Sequence, residues 1–331
     1  MPDAPTLHHE TFVYRSSVDG TGPLYADIAY IPDGKLKPLL VVMHGYHNPR
    51  QAVALDVRQL AELGVVALAP DMRGQGDSAG EFDSGAVEVH DIVDAISHVV
   101  AEYKGVVDPD NLNLVGYSGG GANALSVATK FPDLLRVAVS FFGISDYGLW
   151  HDTKGRPDCN EILVEALGGT PDEVPARYQA RSALLAAGNN GQTRIHLFWD
   201  AEETGCPPVL DTRFIEAVHA AGHDNLVIHE TKPGDPVRWI HNYREHELQL
   251  QHGDALFVSE ILAGTTPQPK LPPKGELVVA GYVVTKAFAV WVGDGTEGWV
   301  KVAYDVTGTE AKVEVVGNVG GWQVRVGPGR A

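Results

Sequence analysis

Hydrophobic positions over about the first 265 residues alternate between short apolar runs and longer stripes at helical spacing. The clearest stripe lies in residues 85–103, where Val89, Ile92, Ile96 and Val99 recur on one face and predict an amphipathic helix. The apolar runs have the length of buried strands and occupy residues 39–44, 65–69, 113–116, 137–142, 194–199 and 225–229. This alternation is typical of a mostly parallel sheet covered by helices on both faces, so we predict an α/β fold.

The pattern changes at both ends of this region. Residues 11–32 alternate with period two and predict an antiparallel pair of strands ahead of the parallel sheet. Residues 265–273 are rich in proline and predict a stiff linker, beyond which residues 274–331 show short alternating runs separated by turn signals. We therefore predict an α/β domain over residues 1–264, with a short cap-like insertion at 148–192, followed by a small antiparallel β domain.

Charge and composition exclude several classes of function. The 25 Lys and Arg residues are scattered singly among 43 Asp and Glu residues, which gives a formal net charge of −18. Such a field repels nucleic acid and anionic membrane surfaces, and the apolar runs fall far short of the ~20 residues that span a bilayer. No charged-then-apolar leader precedes Thr11, so we predict a cytoplasmic protein, with secretion left open if the sequence was trimmed. Cys159 and Cys206 are too few for a disulfide framework and lack metal-ligand spacing, so we predict no metal.

A candidate nucleophile lies in residues 116–120, which read Gly-Tyr-Ser-Gly-Gly. The segment follows a predicted strand and opens a helix rich in small residues, which is the setting of a nucleophilic serine on a tight strand-to-helix turn. Glycines flank Ser118 because side chains there would clash with the neighbouring backbone. The pattern therefore predicts Ser118 as the nucleophile of an acyl-transfer reaction.

Backbone donors for an oxyanion are predicted from a second segment. His44, Gly45 and Tyr46 directly follow the strand at 39–43, at the position where such folds supply one backbone N–H to the oxyanion hole. The residue after the nucleophile supplies the other donor. We therefore assign the oxyanion hole to the N–H groups of Tyr46 and Gly119.

The order of the chain limits the candidates for acid and base. A triad in this setting runs serine, acid, histidine, with the acid after the next-to-last strand and the histidine after the last one. The loop after residues 194–199 offers Asp200, Glu202 and Glu203. His241 and His246 follow the last predicted strand, so either could serve as the base.

Taken together, these segments resemble the catalytic domain of the prolyl oligopeptidase family, whose members have the α/β-hydrolase fold. The resemblance covers about residues 25–263. It rests on residues 44–46, 71–78 (Asp-Met-Arg-Gly-Gln-Gly-Asp-Ser), 116–120, 142–147 (Phe-Gly-Ile-Ser-Asp-Tyr) and 168–171, with Tyr178 and Ser182.

The resemblance also assigns the acid and the base. In the family, the acid motif reads Gly, two residues, Asp, two residues, an apolar residue and Pro. Here Cys206-Pro207 matches the apolar residue and the Pro, and this register puts Glu203 at the position of the Asp. Asp200 stands at the position of the Gly and is the alternative acid. The family's histidine lies in Gly-His-Gly-aromatic, and His241 keeps the histidine and the following aromatic but loses both glycines. His241 is favoured over His246, the alternative base, because His246 begins the final predicted helix.

The resemblance implies a serine hydrolase that needs no cofactor. Ser118, His241 and Glu203 would form the triad, acting on a small-molecule or polymer-linked ester. Oligopeptidases of the family carry an N-terminal β-propeller that gates peptide entry, and the fold signals of this sequence begin near residue 11, so we expect no such gating and favour an esterase over an aminopeptidase. A non-catalytic binding or scaffold protein on the same fold is the alternative from another class, and a homo-oligomer stays open.

Overall fold

The computed structural model describes residues 6–241, 246–293 and 295–330, and a large central sheet organises this part of the chain. Its eight described strands are β1 (His8–Tyr14), β2 (Leu24–Tyr30), β3 (Lys37–Met43), β4 (Val66–Pro70), β5 (Val107–Tyr117), β6 (Val137–Phe141), β7 (Arg194–Asp200) and β8 (Leu226–Thr231). Their spatial order is β1-β2-β4-β3-β5-β6-β7-β8. β1 and β2 pair antiparallel, β2 pairs antiparallel with β4, and every neighbouring pair from β4 to β8 is parallel.

Helices cover both faces of this sheet, as the apolar pattern predicts. The described helices are α1 (Ala54–Leu63), α2 (Val87–Glu102), α3 (Gly119–Lys130), α4 (Tyr147–Thr153), α5 (Pro157–Leu167), α6 (Pro175–Arg181), α7 (Val209–Ala220) and α8 (His246–Ala263), with short 3-10 helices at Arg50–Val53 and Leu184–Asn189. The apolar stripe of α2 is buried against one face of the sheet together with residues of α3 and α7. Residues of α1, α4, α5 and α8 pack on the opposite face.

The position of each strand explains its composition. β6 lies in the middle of the sheet and is covered on both faces, so all five of its residues are buried and its sequence is almost continuously apolar. The carboxyl ends of β3, β5, β7 and β8 lie at the same edge, because these strands run parallel. Loops that leave this edge can therefore bring distant parts of the sequence together.

The C-terminal region forms two small antiparallel sheets. Its strands are β9 (Lys274–Val279), β10 (Tyr282–Val284), β11 (Phe288–Val292), β12 (Val300–Asp305), β13 (Lys312–Asn318) and β14 (Val324–Pro328). They pair in the orders β10-β11-β14 and β13-β12-β9. Val279, Val290, Val300 and Val302 contribute to a core shared by both sheets.

This small β region is packed firmly against the α/β region. Tyr282 is buried in the core that contains α2 and α3. The Nζ atom of Lys130, at the end of α3, donates to the carbonyl oxygen of Ala280 and, at 2.8 Å, to that of Ala180. Because these donors and acceptors are buried, each bond also protects a backbone group that would otherwise lack a partner.

Asn189 also joins the two regions. Its amide nitrogen donates to the carbonyl oxygens of Val278 (2.7 Å) and Thr129 (3.2 Å), and its Oδ1 atom accepts the N–H of Val278 at 2.8 Å. The side chain thus pairs with β9 as a neighbouring strand would. The predicted boundaries at residues 264 and 273 fall in a stretch that contains no described helix or strand.

Within residues 6–241, 246–293 and 295–330, no helix is both long enough and apolar enough to cross a membrane.

Replacing Asn189 tests this docking. We expect Asn189→Ala to lower the free energy of unfolding by about 2–4 kcal/mol, because it leaves the N–H and C=O of Val278 and the C=O of Thr129 without partners. Urea unfolding followed by circular dichroism measures the change. Glu314→Ala, on the exposed strand β13, is the control and should change stability by less than about 0.5 kcal/mol. Equal stability of both variants and the wild type would contradict the docking.

Candidate active site

Ser118 occupies a sharp turn between β5 and α3. Its backbone has φ 55° and ψ −114°, a conformation that residues with side chains rarely adopt. The turn is held because Ser118 N–H donates to Phe141 O (2.9 Å) and Ser118 O accepts the N–H of Ala122 (3.0 Å). The turn places the Ser118 side chain at the carboxyl edge of the sheet, just before the first turn of α3.

Two glycines make this turn sterically possible. A Cβ atom at Gly116 would collide with the carbonyl of Gly120. A Cβ atom at Gly120 would collide with the carbonyl oxygens of Met43 and His44, at the end of β3. The Gly-x-Ser-x-Gly spacing is therefore required by the close approach of α3 to both β5 and β3.

The backbones that carry the predicted oxyanion donors, at Tyr46 and Gly119, lie against each other at this edge. A Cβ atom at Gly119 would lie 2.8 Å from the backbone nitrogen of Tyr46, so the two backbones are in direct contact. Gly119 N–H belongs to the first turn of α3, where amides have no intrahelical acceptor. His44 holds the loop in place: its Nδ1 atom lies 3.0 Å from Gly45 O, and its Nε2 atom accepts the N–H of Met72 at 3.3 Å. Burial lowers the pKa of His44, which fits this neutral, structural role.

The side chain of Tyr46 fixes the position of its own backbone. Its hydroxyl lies 2.7 Å from Ser84 Oγ, and its ring makes edge contacts with Phe82 (5.1 Å between centroids) and Trp150 (5.5 Å). Trp150 in turn donates its indole N–H to Gly205 O at 2.8 Å. Helix α4 therefore connects the oxyanion loop to the loop that carries the candidate acid.

Glu203 and His241 are paired directly. Glu203 Oε1 lies 2.9 Å from His241 Nδ1, and Glu203 Oε2 accepts the backbone N–H of His241 at 2.8 Å. Oε1 also accepts the N–H groups of Gly205 (2.5 Å) and Cys206 (3.2 Å). Burial alone would raise the pKa of Glu203, but the hydrogen bonds from His241 and from the backbone outweigh it and hold this pKa below its usual value.

Ser118 and His241 line the same pocket without a hydrogen bond between their side chains. His241 Nε2 is buried and has no hydrogen-bond partner among the described residues. Ser118 Oγ instead lies 3.8 Å from Cys206 Sγ. Serine–histidine hydrogen bonds are often long in unliganded enzymes and tighten when substrate binds, so this arrangement is compatible with a triad.

The alternative acid and base lie elsewhere. Asp200 is fully buried at the end of β7, and both of its oxygens bind the guanidinium of Arg238. No contact joins Asp200 to His241 in the part of the chain that the structure describes. The backbone of His246 begins α8, but its side chain lies outside the described residues, as do Asn242 and Tyr243.

The pocket beside Ser118 is small and mostly apolar. Its volume is about 90 Å³, less than the ~150 Å³ of a cavity that holds benzene. Its described lining consists of Gly45, Asn48, Ala52, Val53, Tyr117, Ser118, Phe142, Ile240, His241 and Gln249. No carboxylate or basic side chain other than His241 lines it among the described residues.

Two contacts in the candidate site were not predicted from the sequence. Cys206 contacts the nucleophile, and both cysteines are free and buried. Gln249 donates to the carbonyl oxygens of Arg238 (2.5 Å) and Ile240 (2.8 Å) and so holds the loop before His241. The register of the acid motif places Cys206 near the site, but no sequence signal connects Gln249 with this loop.

Comparisons with known proteins identify the family and the fold of this chain. The model of the prolyl oligopeptidase family matches residues 51–234, more than half of the chain. The "uncharacterized peptidase YtmA" of Bacillus subtilis strain 168 is 29% identical over 124 residues, which cover 38% of this chain and 47% of that protein. The acylaminoacyl peptidase of Pyrococcus horikoshii superposes with a TM-score of 0.62 at 18% identity, over 81% of this chain and 43% of that one. The esterase Pf2001 of Pyrococcus furiosus superposes with a TM-score of 0.58 at 14% identity, over 78% of this chain and 93% of that one.

These comparisons confirm the predicted α/β-hydrolase fold. The two solved structures are too distant in sequence to indicate more than the fold. The chain spans less than half the length of the two peptidases that it matches.

The ionised state of Glu203 generates a prediction about stability. Because the folded state lowers this pKa, the stabilisation is present above the unfolded value of 4.5 and is lost as the pH falls through the folded value. We expect Glu203→Gln to lower the free energy of unfolding by about 1–2 kcal/mol at pH 6, with a smaller difference at pH 3.5. Urea unfolding at both pH values measures this. A difference that is constant or grows at pH 3.5 would contradict an ionised Glu203 carboxylate in the folded state.

Proposed function

This chain belongs to the prolyl oligopeptidase family of serine hydrolases, and we propose that it hydrolyses carboxylic esters through an acyl-enzyme intermediate on Ser118. The pairing of Glu203 with His241 beside Ser118 supports a complete triad. The close approach of Gly119 to the Tyr46 backbone supports the oxyanion hole.

In the proposed reaction, His241 Nε2 takes the proton of Ser118 as its oxygen attacks the ester carbonyl. The N–H groups of Tyr46 and Gly119 bind the oxyanion, an interaction typically worth ~3–4 kcal/mol per donor. His241 then donates this proton to the leaving alcohol. It afterwards takes a proton from the water that attacks the acyl-enzyme and returns it to Ser118 Oγ as the bond between Ser118 and the acyl group breaks. Glu203 orients the imidazole through Nδ1 and stabilises its charged form throughout.

The observation that carries the choice of substrate is the neutral lining of the pocket beside Ser118. An aminopeptidase must bind the ammonium group of its substrate, and a desolvated ammonium needs a carboxylate partner. The described lining offers apolar side chains and neutral amides, which suit an uncharged ester. The fold shared with the Pyrococcus furiosus esterase, over 93% of that protein, is compatible with this choice.

A peptidase that accepts blocked amino ends is the second candidate. The structural neighbours include an acylaminoacyl peptidase, and an N-acylated amino acid carries no ammonium group. A neutral pocket fits such a substrate as well. Esters and acylated anilides must therefore be compared directly.

The first test compares p-nitrophenyl acetate with acetyl-alanyl and alanyl p-nitroanilides. With each kcat/KM divided by the rate constant for hydroxide hydrolysis of the same substrate, we expect the ester to give the highest value and the free aminoacyl anilide the lowest. Ser118→Ala should lower kcat by about 10⁴-fold or more, because residual catalysis comes only from binding and the oxyanion hole.

Labelling of Ser118 by a fluorophosphonate probe is the control for an intact nucleophile. Preferred turnover of the acetylated anilide would assign the peptidase function instead. A wild-type protein that neither labels nor turns over any substrate would indicate the non-catalytic scaffold.

The volume of the pocket generates a second prediction. We expect at least one side of the ester to be restricted to groups smaller than a phenyl ring. Comparing the acetate and benzoate esters of p-nitrophenol varies the acyl group, and comparing ethyl acetate with benzyl acetate varies the alcohol. Each enzymatic rate is divided by the rate of hydroxide hydrolysis of the same ester. At least one pair should discriminate against the ring about tenfold, and Val53→Ala should reduce that discrimination. Equal normalised rates in both pairs would contradict the restriction.

A further inference from the structure

We propose that Asp200, Arg238 and Gln249 form a latch that positions His241 for catalysis. The proposal rests on the proposed function, because it assigns a purpose to residues around the histidine of that triad. Asp200 and Arg238 do not line the pocket beside Ser118; Gln249 does, and the latch uses only its hydrogen bonds to the histidine loop. The three residues act through the backbone of residues 238–241, which leads directly into His241.

Asp200 is the fixed end of the latch. It is fully buried at the end of β7, where its Oδ1 atom accepts the N–H of Glu202 (2.8 Å) and Oδ2 accepts the hydroxyl of Thr231 (2.7 Å). Both oxygens bind Arg238, through Nη2 at 2.5 Å and through Nε. Burial alone would raise the pKa of Asp200, but Arg238 and Thr231 hold it below its usual value, so the pair is ionic near neutral pH.

A second contact fixes the residue after Arg238. Thr231 Oγ1 donates to Asp200 and accepts the backbone N–H of Trp239 at 3.0 Å. The Trp239 ring is buried against Phe141 and Phe198, with centroid distances of 5.7 and 5.0 Å. The end of β8, the end of β7 and the histidine loop are thus joined through one hydroxyl group.

Gln249 holds the same loop from the opposite side. Its buried amide on α8 donates to the carbonyl oxygens of Arg238 and Ile240. The next backbone group, the N–H of His241, donates to Glu203. Successive backbone groups from residue 238 to residue 241 are therefore held by side chains from β8, α8 and the acid loop.

The latch explains why Asp200 is charged although it is not paired with the histidine. A displacement of about 1 Å between catalytic groups can cost about 100-fold in rate, so the loop must hold one conformation. Four backbone groups of residues 238–241 are bound by side chains of other elements, which limits the conformations open to this loop. Side-chain hydrogen bonds from fixed elements supply that constraint.

The experiment uses Asp200→Asn, Arg238→Gln and the double variant in the full chain, with ester hydrolysis per fluorophosphonate-labelled site as the readout. We expect each single variant to lower kcat about 10–100-fold with KM within about twofold of wild type. The double variant should lose about as much as either single one, because both remove the same constraint. Arg238→Lys should recover part of the loss, since an ammonium group can replace one of the two bonds.

The matched control is another buried Arg–Asp pair. Arg73 donates to both oxygens of Asp91, at 2.7 and 2.9 Å, and neither residue lines the pocket beside Ser118. Asp91→Asn should lower the melting temperature while kcat per labelled site stays within about twofold of wild type. This separates a general loss of a buried ion pair from a specific effect on His241.

Several results would overturn the proposal. Unchanged kcat in Asp200→Asn, additive losses in the double variant, or an equal loss of kcat in Asp91→Asn would exclude a latch. A loss in Asp200→Asn as large as that in Ser118→Ala would make Asp200 the triad acid instead. A wild-type protein that is neither labelled nor active would overturn the proposed function itself. An active wild type with an equally active Asp200→Asn variant would overturn only the latch, so the two failures can be told apart.

Discussion

The arrangement of the site depends on the contact between the Glu203 carboxylate and His241. The carboxylate binds the ring and the backbone N–H of His241, and it also accepts two N–H groups of its own loop. A buried carboxylate can stay ionised only when several donors replace the water it has lost. The acid loop and the histidine loop therefore stabilise each other through Glu203, beside the contacts that Asp200, Thr231 and Gln249 make with the histidine loop. The position of Ser118 is fixed separately, by the strained turn between β5 and α3.

The fold and the nucleophile turn could be predicted from the sequence because their causes are local. Apolar periodicity reports which faces of an element are buried, and strand, turn and helix follow one another within a few residues around Ser118. The placement of Glu203 followed from its spacing to the proline of the acid motif. The structure brings Glu203 and not Asp200 to His241, while the catalytic role of each stays a prediction.

Contacts between distant segments could not be predicted in this way. The sequence contains nothing that pairs Gln249 with the carbonyl oxygens of the histidine loop, or Asn189 with β9, because each contact depends on how whole elements pack. Alternation in the C-terminal strands was also only partly informative. Val300 and Val302 are buried, whereas Val315 and Val316 are exposed on β13, which lies at the edge of its sheet.

The position of Lys130 has a consequence for the modularity of this protein. The helix that begins after the nucleophile ends at this residue, whose buried Nζ atom donates to Ala280 O and lies 5.0 Å from the centre of the Tyr282 ring. Burial lowers the pKa of Lys130 to about 7, and the C-terminal strands supply a hydrogen-bond acceptor for this buried amine of the catalytic region. Removing these strands would leave the Lys130 nitrogen without its Ala280 acceptor, so the C-terminal region is not an independent appendage of the catalytic region.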